Sequence, residues 1–501
     1  DSLYICGDSW LHQNDGGLWE LYLQGNPYEI GLKNGILTQE LSYKQEEEFV
    51  KFLNQMIPSK SYLHFLKYFI GWFTKDLDEY IPLEYRKEIY GVSRYASEDF
   101  DFISYPYHRM LNLHAAHDVG HAVQNMSLVR CTAFGVHRDS TLLIGRNLDF
   151  YAGEGFAKNK VVSFYRPYHG YRFAMVAWAG LIGTLSGMNE CGLTVTLNSA
   201  SSDIPTAAKT PVSIIARKIM QYASTIDEAY AIASECESFV SEMFFIGSAY
   251  DSTVAIIEKS LDTTVLFRSG KDYTLLTNHY QSKELKDVPS NVEFMQRNIS
   301  TYRSKRLEEL VNSYSSFTPD TIAAILRDTA GIGGKAIGLC NEKVVNQMIA
   351  HHGVIFDPYH RTIYISEFPY QVSKFHAYCL DSVFSDHFDI KTQAPDNDLW
   401  SIAEDSVLNR VIYPQVSTYR AATVRMNGYI SHGQEISDDT IAGYIALNPG
   451  YYEPYYVIAK YYKNQQEKGR AIVYLNRALE HDVVGEDLIK YIHQQIKELE
   501  E

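Results

Sequence analysis

The fold turns on Val129-Arg130-Cys131-Thr132-Ala133-Phe134-Gly135-Val136-His137 and, after Arg138-Asp139-Ser140, on Thr141-Leu142-Leu143-Ile144-Gly145-Arg146-Asn147-Leu148-Asp149-Phe150. Short runs of β-branched and aromatic residues, Thr132–His137 and Leu142–Leu148, flank a polar turn signal, so the stretch reads as two strands. The same texture continues at Val161–Tyr165, Phe173–Ala177 and Gly192–Asn198, with a turn at Pro167–Gly170. Helical patterns follow over 212–223 and 226–238, then strands near 243–249, 253–258, 263–267 and 273–277. Helices over 293–313 and 319–327 come next, and strands near 353–356 and 361–366 close the block. Strands in runs and helices in separate runs predict an α+β layered sandwich rather than alternating βαβ units.

Outward from this block the texture is helical on both sides. Residues 1 to about 128 read mostly helical. Tyr62, Phe65, Leu66, Phe69, Ile70 and Phe73 fall on one helical face, which either packs on the core or walls a lipidic substrate. From about 395 the chain is helical again. There Tyr455, Ile458, Ala459, Tyr462, Ala471, Leu475 and Ala478 hold the spacing of tetratricopeptide packing positions, with Gly469 in the turn and Pro449 ending a partial unit before it. One and a half repeats are too few for an independent solenoid, so the module is expected to dock on the body of the protein. A groove for a protein partner, or a homo-oligomer contact, is the other use such a tail has.

Composition bounds the function. The 501 residues carry 45 Lys and Arg against 61 Asp and Glu, a formal net charge of −16. No basic block interrupts that balance, which argues against nucleic acid as a partner. With 46% hydrophobic and 21% charged residues the chain is globular rather than disordered. The run Phe173–Met188 is too short, and too interrupted by Gly180, Gly183 and Gly187, to match the roughly 20 apolar residues of a transmembrane helix. The six cysteines, at 6, 131, 191, 236, 340 and 379, form no CxxC pair and no zinc-ribbon spacing. The chain opens at Asp1 without a signal segment. Export to a periplasm or cell surface, with that segment removed, is the expectation, and a cytoplasmic home stays open.

Three constellations carry chemistry. His114, His117, Asp118 and His121 share one face of a helix, with His108 upstream, as metal ligands would. The set lacks the HExxH order and Gly120 weakens its helix, so structural, hydrogen-bonding histidines are the preferred reading and a metal site the alternative. Cys131 opens a strand and by spacing alone is either a small buried hydrophobe or a nucleophile. The third is a polar set in apolar strands: Arg146-Asn147-Leu148-Asp149, Asn198, and Thr277-Asn278-His279. Arg and Asp beside a thiol tune it and orient a base, and Asn amides stabilise an oxyanion.

Taken together, Cys131-Thr132, Gly145-Arg146-Asn147-Leu148-Asp149-Phe150, Gly187-Met188-Asn189-Glu190-Cys191-Gly192-Leu193 running into Asn198, and Thr277-Asn278-His279 resemble the N-terminal-nucleophile (Ntn) hydrolases. The resemblance is to the branch of acyl-coenzyme A:6-aminopenicillanic acid acyltransferase, with choloylglycine hydrolase, N-acylethanolamine amidase and acid ceramidase as relatives. It spans about residues 129–370, and the glycines from Gly25 through Gly31 and Gly35 fit the start of that branch. It implies an αββα sandwich made as a precursor and cleaved at Arg130–Cys131. It also implies that the freed α-amine of Cys131 serves as base for its own thiol, which attacks an N-acyl amide and passes through a thioester. By the same resemblance Asp149 binds the α-ammonium, Arg146 steadies the thiolate, and Asn198 and Asn278 are the oxyanion and amine-orienting asparagines. Arg303 is the supporting arginine, with Arg306 as competitor.

The expected division is a helical N-terminal segment over 1–130, the Ntn core over 131–394 and the tetratricopeptide-like tail over 395–501. No cofactor is called for, and the partner is a small-molecule N-acyl amide. Two alternatives stand beside this reading. One is a metal-dependent hydrolase on His114, His117 and His121, and the other is a non-catalytic interaction protein. Cys191, Cys6, Cys236, Cys340 and Cys379 read as packing residues. His351-His352 and the pair Asp357 and His360 read as polar residues at strand edges.

Overall fold

The computed structural model describes residues 2–56, 71, 76–122, 129–200, 209–238, 240–297 and 299–501. The apolar face at 62–73, with Phe65 and Phe69, lies outside the described residues.

Ten strands make the larger sheet, in the order β1 (Ser2–Cys6), β2 (Ser9–Gln13), β3 (Trp19–Gly25), β6 (Val161–Pro167), β7 (Phe173–Ala177), β8 (Ser186–Asn189), β9 (Leu193–Ser199), β10 (Glu242–Ser248), β11 (Thr253–Lys259) and β12 (Thr264–Phe267). Six make the smaller: β13 (Tyr273–Leu276), β4 (Val129–Arg138), β5 (Thr141–Phe150), β14 (Ala350–Asp357), β15 (Thr362–Ser366) and β16 (Phe375–Cys379). Within the smaller sheet every pairing is antiparallel, and β4 and β5 run in full register from Val129↔Phe150 to Arg138↔Thr141.

Period-2 alternation sends the two faces of each strand to different cores. Ala133, Leu142 and Ile144 meet Val162, Phe164, Phe245 and Ile256 between the sheets. On the far side of the larger sheet, Leu21, Leu23, Val195 and Leu197 pack with residues of α1 (Pro27–Met56), α2 (Leu83–Ser93), α3 (Pro106–Ala122), α4 (Val212–Tyr222) and α5 (Ile226–Glu235). On the far side of the smaller sheet, Phe134, Val136 and Leu143 pack with Leu307 and Val311 of α6 (Ser300–Ser313) and Ile322 of α7 (Pro319–Leu326). The result is a four-layer α–β–β–α sandwich: layered α+β as the strand and helix runs predict, in the αββα order that the resemblance implies. Helices α1 and α2 cross at glycines: a Cβ on Gly31 would lie 2.0 Å from the Glu88 carbonyl oxygen. No described helix is long and apolar enough to cross a membrane.

The N-terminal segment departs from expectation. Residues 2–25 form three strands rather than helix, and β3 runs parallel to β6 from Trp19↔Val161 to Gly25↔Pro167. The turns at Gly7 (φ 64°) and Gly17 (φ 81°) are left-handed positions that glycine adopts without steric cost. Trp10 stacks on its cross-strand partner Tyr22 at 5.7 Å and meets Phe164 at 6.4 Å and Phe388 at 6.1 Å, so partners distant in sequence help fix the hairpin of β2 and β3.

The tail is a bundle of α8 (Tyr413–Ser431), α9 (Asp438–Leu447), α10 (Tyr452–Asn464), α11 (Lys468–Leu479) and α12 (Glu486–Glu500). Tyr455, Ile458, Ala459, Tyr462, Ala471, Leu475 and Ala478 are all buried in its core. It sits on the loop before β14. Asn448 and the Leu339 backbone exchange two hydrogen bonds, at 3.0 and 2.9 Å, and Lys335 and Lys343 pair with Asp482.

Candidate active site

Cys131 lies on β4, fully buried, and three side chains reach its atoms. Arg146 on β5 directs Nη2 at the sulfur, 3.5 Å away, and also donates to the Leu197 carbonyl at 2.6 Å. Asn278 Oδ1 accepts the Cys131 N–H at 3.2 Å. Arg303 on α6 donates through Nη1 to the Cys131 carbonyl oxygen at 2.7 Å and Thr132 Oγ1 at 3.0 Å, and through Nη2 to Asn278 Oδ1 at 2.6 Å. The register explains why Arg146 reaches the thiol. Ala133 pairs with Arg146 and Cys131 with Leu148, so Arg146 and Cys131 project from the same face, diagonally across one strand pair.

Asn198, at the end of β9, donates to the Thr277 carbonyl at 3.0 Å, while its Oδ1 meets no hydrogen-bond partner among the described residues. Its neighbour Ser199 takes both Nδ2 contacts of Asn278, carbonyl at 3.0 Å and Oγ at 2.9 Å. Asp149 pairs with Arg130 across β4 and β5, is fully buried, and neither carboxylate oxygen has a hydrogen-bond partner among the described residues. Burial raises its carboxyl to about 7, against the pull of Arg303 and Arg146. Burial also raises the Cys131 thiol to about 11, outweighing Arg146, and so favours the neutral thiol. Arg303 is lowered to about 10 by its own burial.

The fold therefore brings Cys131, Arg146, Asp149, Asn198, Asn278 and Arg303 into one buried cluster. Arg306 is not part of it, because its guanidinium is turned to Asp328 at 3.0 and 2.9 Å. The expected helix over 293–313 is two helices, ending at Arg297 and restarting at Ser300. That break places Ser300 Oγ at 2.8 Å from the Asn278 N–H, from Thr277 Oγ1 and from His279 Nδ1, fixing the loop that carries Asn278. Ser199, Ser300 and Ser186 carried no signal in the sequence, since an isolated serine beside an apolar strand has no characteristic spacing.

His351 and His352 are corrected. They are not strand-edge residues, because β14 begins at Ala350 and both imidazoles are fully buried. A bulge between Ala350 and His352 turns His352 inward, where its Nε2 lies 3.1 Å from Arg146 Nη1 and 2.8 Å from Ser186 Oγ. Asp357 and His360 do lie at a strand end, joined at 2.7 Å with His360 exposed.

In the histidine set on α3, His114 is a structural, hydrogen-bonded residue and not a free ligand. Both of its ring nitrogens are taken by the backbone, Nδ1 by the Met110 carbonyl at 2.7 Å and Nε2 by the Ile182 N–H at 3.0 Å. Burial lowers it to about 4. Asp118 accepts the Val212 N–H at 2.9 Å. The side chains of His117 and His121 lie outside the described residues. Among the described residues no group of three His, Cys, Asp or Glu is placed to hold a metal ion. Of the six cysteines only Cys131 is fully buried, and Cys6, Cys191, Cys236, Cys340 and Cys379 are partly exposed.

Residues 136–366 match the family model of acyl-coenzyme A:6-aminopenicillanic acid acyl-transferase. The match is to just under half the chain and takes in Arg146, Asp149, Asn198, Asn278 and Arg303. Among curated proteins the chain is 25% identical to an uncharacterized protein of Archaeoglobus fulgidus, over 49% of this chain and 44% of that one. It is 23% identical to protein dcd1B of Dictyostelium discoideum, over 49% and 51%, and 25% identical to protein dcd1A of the same organism, over 50% and 59%. The chain spans about half the length of the curated relatives it matches. Among solved structures, an N-acylethanolamine-hydrolyzing acid amidase ortholog of Caenorhabditis elegans is 15% identical, covering 46% of this chain and 93% of that chain, with a TM-score of 0.35. A conjugated bile acid hydrolase variant of Clostridium perfringens is 13% identical, covering 53% and 94%, with a TM-score of 0.30.

Proposed function

We propose that the chain is the precursor of a cysteine amide hydrolase or acyltransferase that activates itself at Arg130–Cys131 and acts on a linear N-acyl amide. The observation that carries this reading is the convergence of Arg146, Asn278 and Arg303 on the sulfur, nitrogen and carbonyl oxygen of one residue, Cys131. A cysteine buried only for packing needs none of these contacts, and burying two guanidiniums around it is costly.

The chemistry follows from the positions. In self-cleavage the Cys131 sulfur attacks the Arg130 carbonyl carbon. The C–N bond breaks, the thiol proton passes to the departing nitrogen, and water then resolves the thioester to leave Cys131 with a free α-amine. An α-amine has an ordinary pKa near 7.7–8.0, so it exchanges a proton with the thiol at neutral pH. Asn278 Oδ1, already on this nitrogen, holds the amine, and the unpaired Asp149 carboxylate supplies its counter-charge. Arg146 stabilises the thiolate. Asn198, anchored on Thr277, is the amide that faces the oxyanion when a substrate acyl group is attacked. Hydrolysis and transfer share every step up to the thioester, and water or an acceptor amine ends it.

Intact mass under denaturing conditions tests this. The wild type, 57.2 kDa, is expected to yield fragments of about 15 and 42 kDa, and Cys131→Ala is expected to stay whole. A wild-type chain that remains at full mass after prolonged incubation across neutral and acidic pH sinks the reading.

A further inference from the structure

A neutral histidine stands behind the arginine that faces the thiol. Arg146 has only donors, so His352 Nε2, 3.1 Å from Arg146 Nη1, is an acceptor. Ser186 Oγ takes a hydrogen bond from the same Nη1 and lies 2.8 Å from the same imidazole nitrogen. With Nε2 accepting, the ring proton of His352 is on Nδ1, which lies 2.9 Å from His351 Nδ1. His351 then carries its proton on Nε2, a fully buried nitrogen that meets no hydrogen-bond partner among the described residues. A buried donor without a partner is costly, so this tautomer order is imposed from the Arg146 end of the chain.

The backbone is built for this. The bulge in β14 sets two residues, His351 and His352, against Leu148 alone and places the two rings edge to face, 5.2 Å apart. His351 is wedged against Phe156 at 5.2 Å and Trp178 at 5.8 Å, so it has no room to turn away. Lys160, also fully buried, donates to the His351 carbonyl at 3.3 Å. The charged groups that bear on the two imidazoles are Lys160 from the start of β6 and Arg146 from β5, while Glu242 from β10 and Asp149 bear on Arg146. Both cations oppose protonation of either ring, which burial opposes first.

We infer that His352, fixed in one tautomer by Arg146 and with its Nδ1–H taken up by His351, is a positioning residue that holds the Arg146 guanidinium against the Cys131 sulfur. Without it Nη1 keeps Ser186 alone and Nη2 keeps the Leu197 carbonyl, so the guanidinium loses one of the three contacts that set its angle to the thiol. The inference rests on the reading of Cys131 as the nucleophile. Its geometry, however, concerns the thiol whether or not the chain is cleaved.

The test compares His352→Gln and His352→Leu in the full chain, with Arg146→Leu as reference and thermal melting to show that each folds. Modification of Cys131 by methyl methanethiosulfonate, followed against pH by peptide mass spectrometry, reads the thiol directly. The self-cleavage rate is read by intact mass in parallel. For His352→Leu the modification profile is expected to move to higher pH, towards that of Arg146→Leu, with self-cleavage about tenfold slower or worse, as for a lost charge-assisted hydrogen bond. His352→Gln, whose amide oxygen accepts from Arg146, is expected to restore most of both. A wild-type profile in His352→Leu overturns the inference, and so does equal loss in Gln and Leu, which would mark a merely space-filling ring. A wild type that never cleaves removes the proposed function but leaves the thiol profile to decide the role of His352.

Discussion

Asn278 Oδ1 accepts at once from the Cys131 backbone nitrogen, at 3.2 Å, and from Arg303 Nη2, at 2.6 Å. One amide oxygen thus couples the nitrogen of the expected scissile bond to a buried cation. Polarising that oxygen strengthens its hold on the Cys131 N–H, and after cleavage the same contact would orient a free amine. Asn278→Ala is expected to fold, because Ser300 still fixes the loop through the residue 278 N–H, and to self-cleave at least about 100-fold more slowly. A time course of intact mass gives the rate. Unchanged cleavage would remove Asn278 from the site.

The two candidate arginines of α6 differ by less than one helical turn and have opposite surroundings. Arg303 is buried against Cys131, Thr132 and Asn278, whereas Arg306 is paired with Asp328 and Glu309. Arg303→Gln is expected to abolish self-cleavage and to lower stability, since it leaves the Cys131 carbonyl and Thr132 unpartnered. Arg306→Gln loses part-buried ion pairs that do not touch Cys131, and is expected to leave cleavage within about twofold of wild type. Parallel mass time courses and melting curves separate the two.

Asp149 holds a carboxyl that burial raises to about 7, so its ionised form opposes folding. A raised carboxyl pKa contributes stability fully below the unfolded value near 3.9. That contribution is lost as pH rises through about 7. Asp149→Asn removes the penalty. The variant is therefore expected to melt at a higher temperature than the Cys131→Ala precursor at pH above 7, with the gap closing towards acid. It is also expected to be inactive in self-cleavage. A melting temperature below that of Cys131→Ala across the whole pH range would show that the carboxylate is a structural partner instead.

The core and the site were legible in the sequence to different degrees, for physical reasons. The strands from 129 to 277 are short apolar runs bounded by turn residues, a local signal that survives without tertiary context. The polar residues Arg146, Asp149 and Asn198 stood out because each interrupts such a run. The strands at 2–25 did not, because Leu21 and Leu23 become strand residues through pairing with Val161–Pro167, more than a hundred residues away. His351 and His352 were misplaced because a bulge, not an alternation, decides where they point. The histidines of α3 looked like ligands because helical spacing gathers side chains on one face. That spacing does not show that His114 spends both nitrogens on backbone groups.

His376 ties the N-terminal strands to the far edge of the smaller sheet. Its ring lies 2.8 Å from Asp396 and 2.9 Å from Glu367, and Asn14, in the turn after β2, is 3.4 Å from its Nδ1. Burial opposes its charge, but Asp396 and Glu367 outweigh that and raise it to about 9. A raised histidine contributes stability that is complete below the unfolded value near 6.5 and is lost as pH rises through about 9. The melting temperature of Cys131→Ala, which stays a single chain, is therefore expected to fall between about pH 6.5 and 9. His376→Gln is expected to melt lower at neutral pH and to flatten that slope, since Glu367 and Asp396 then face each other without a cation between them. A variant with the parent's slope would assign the pH dependence to other groups.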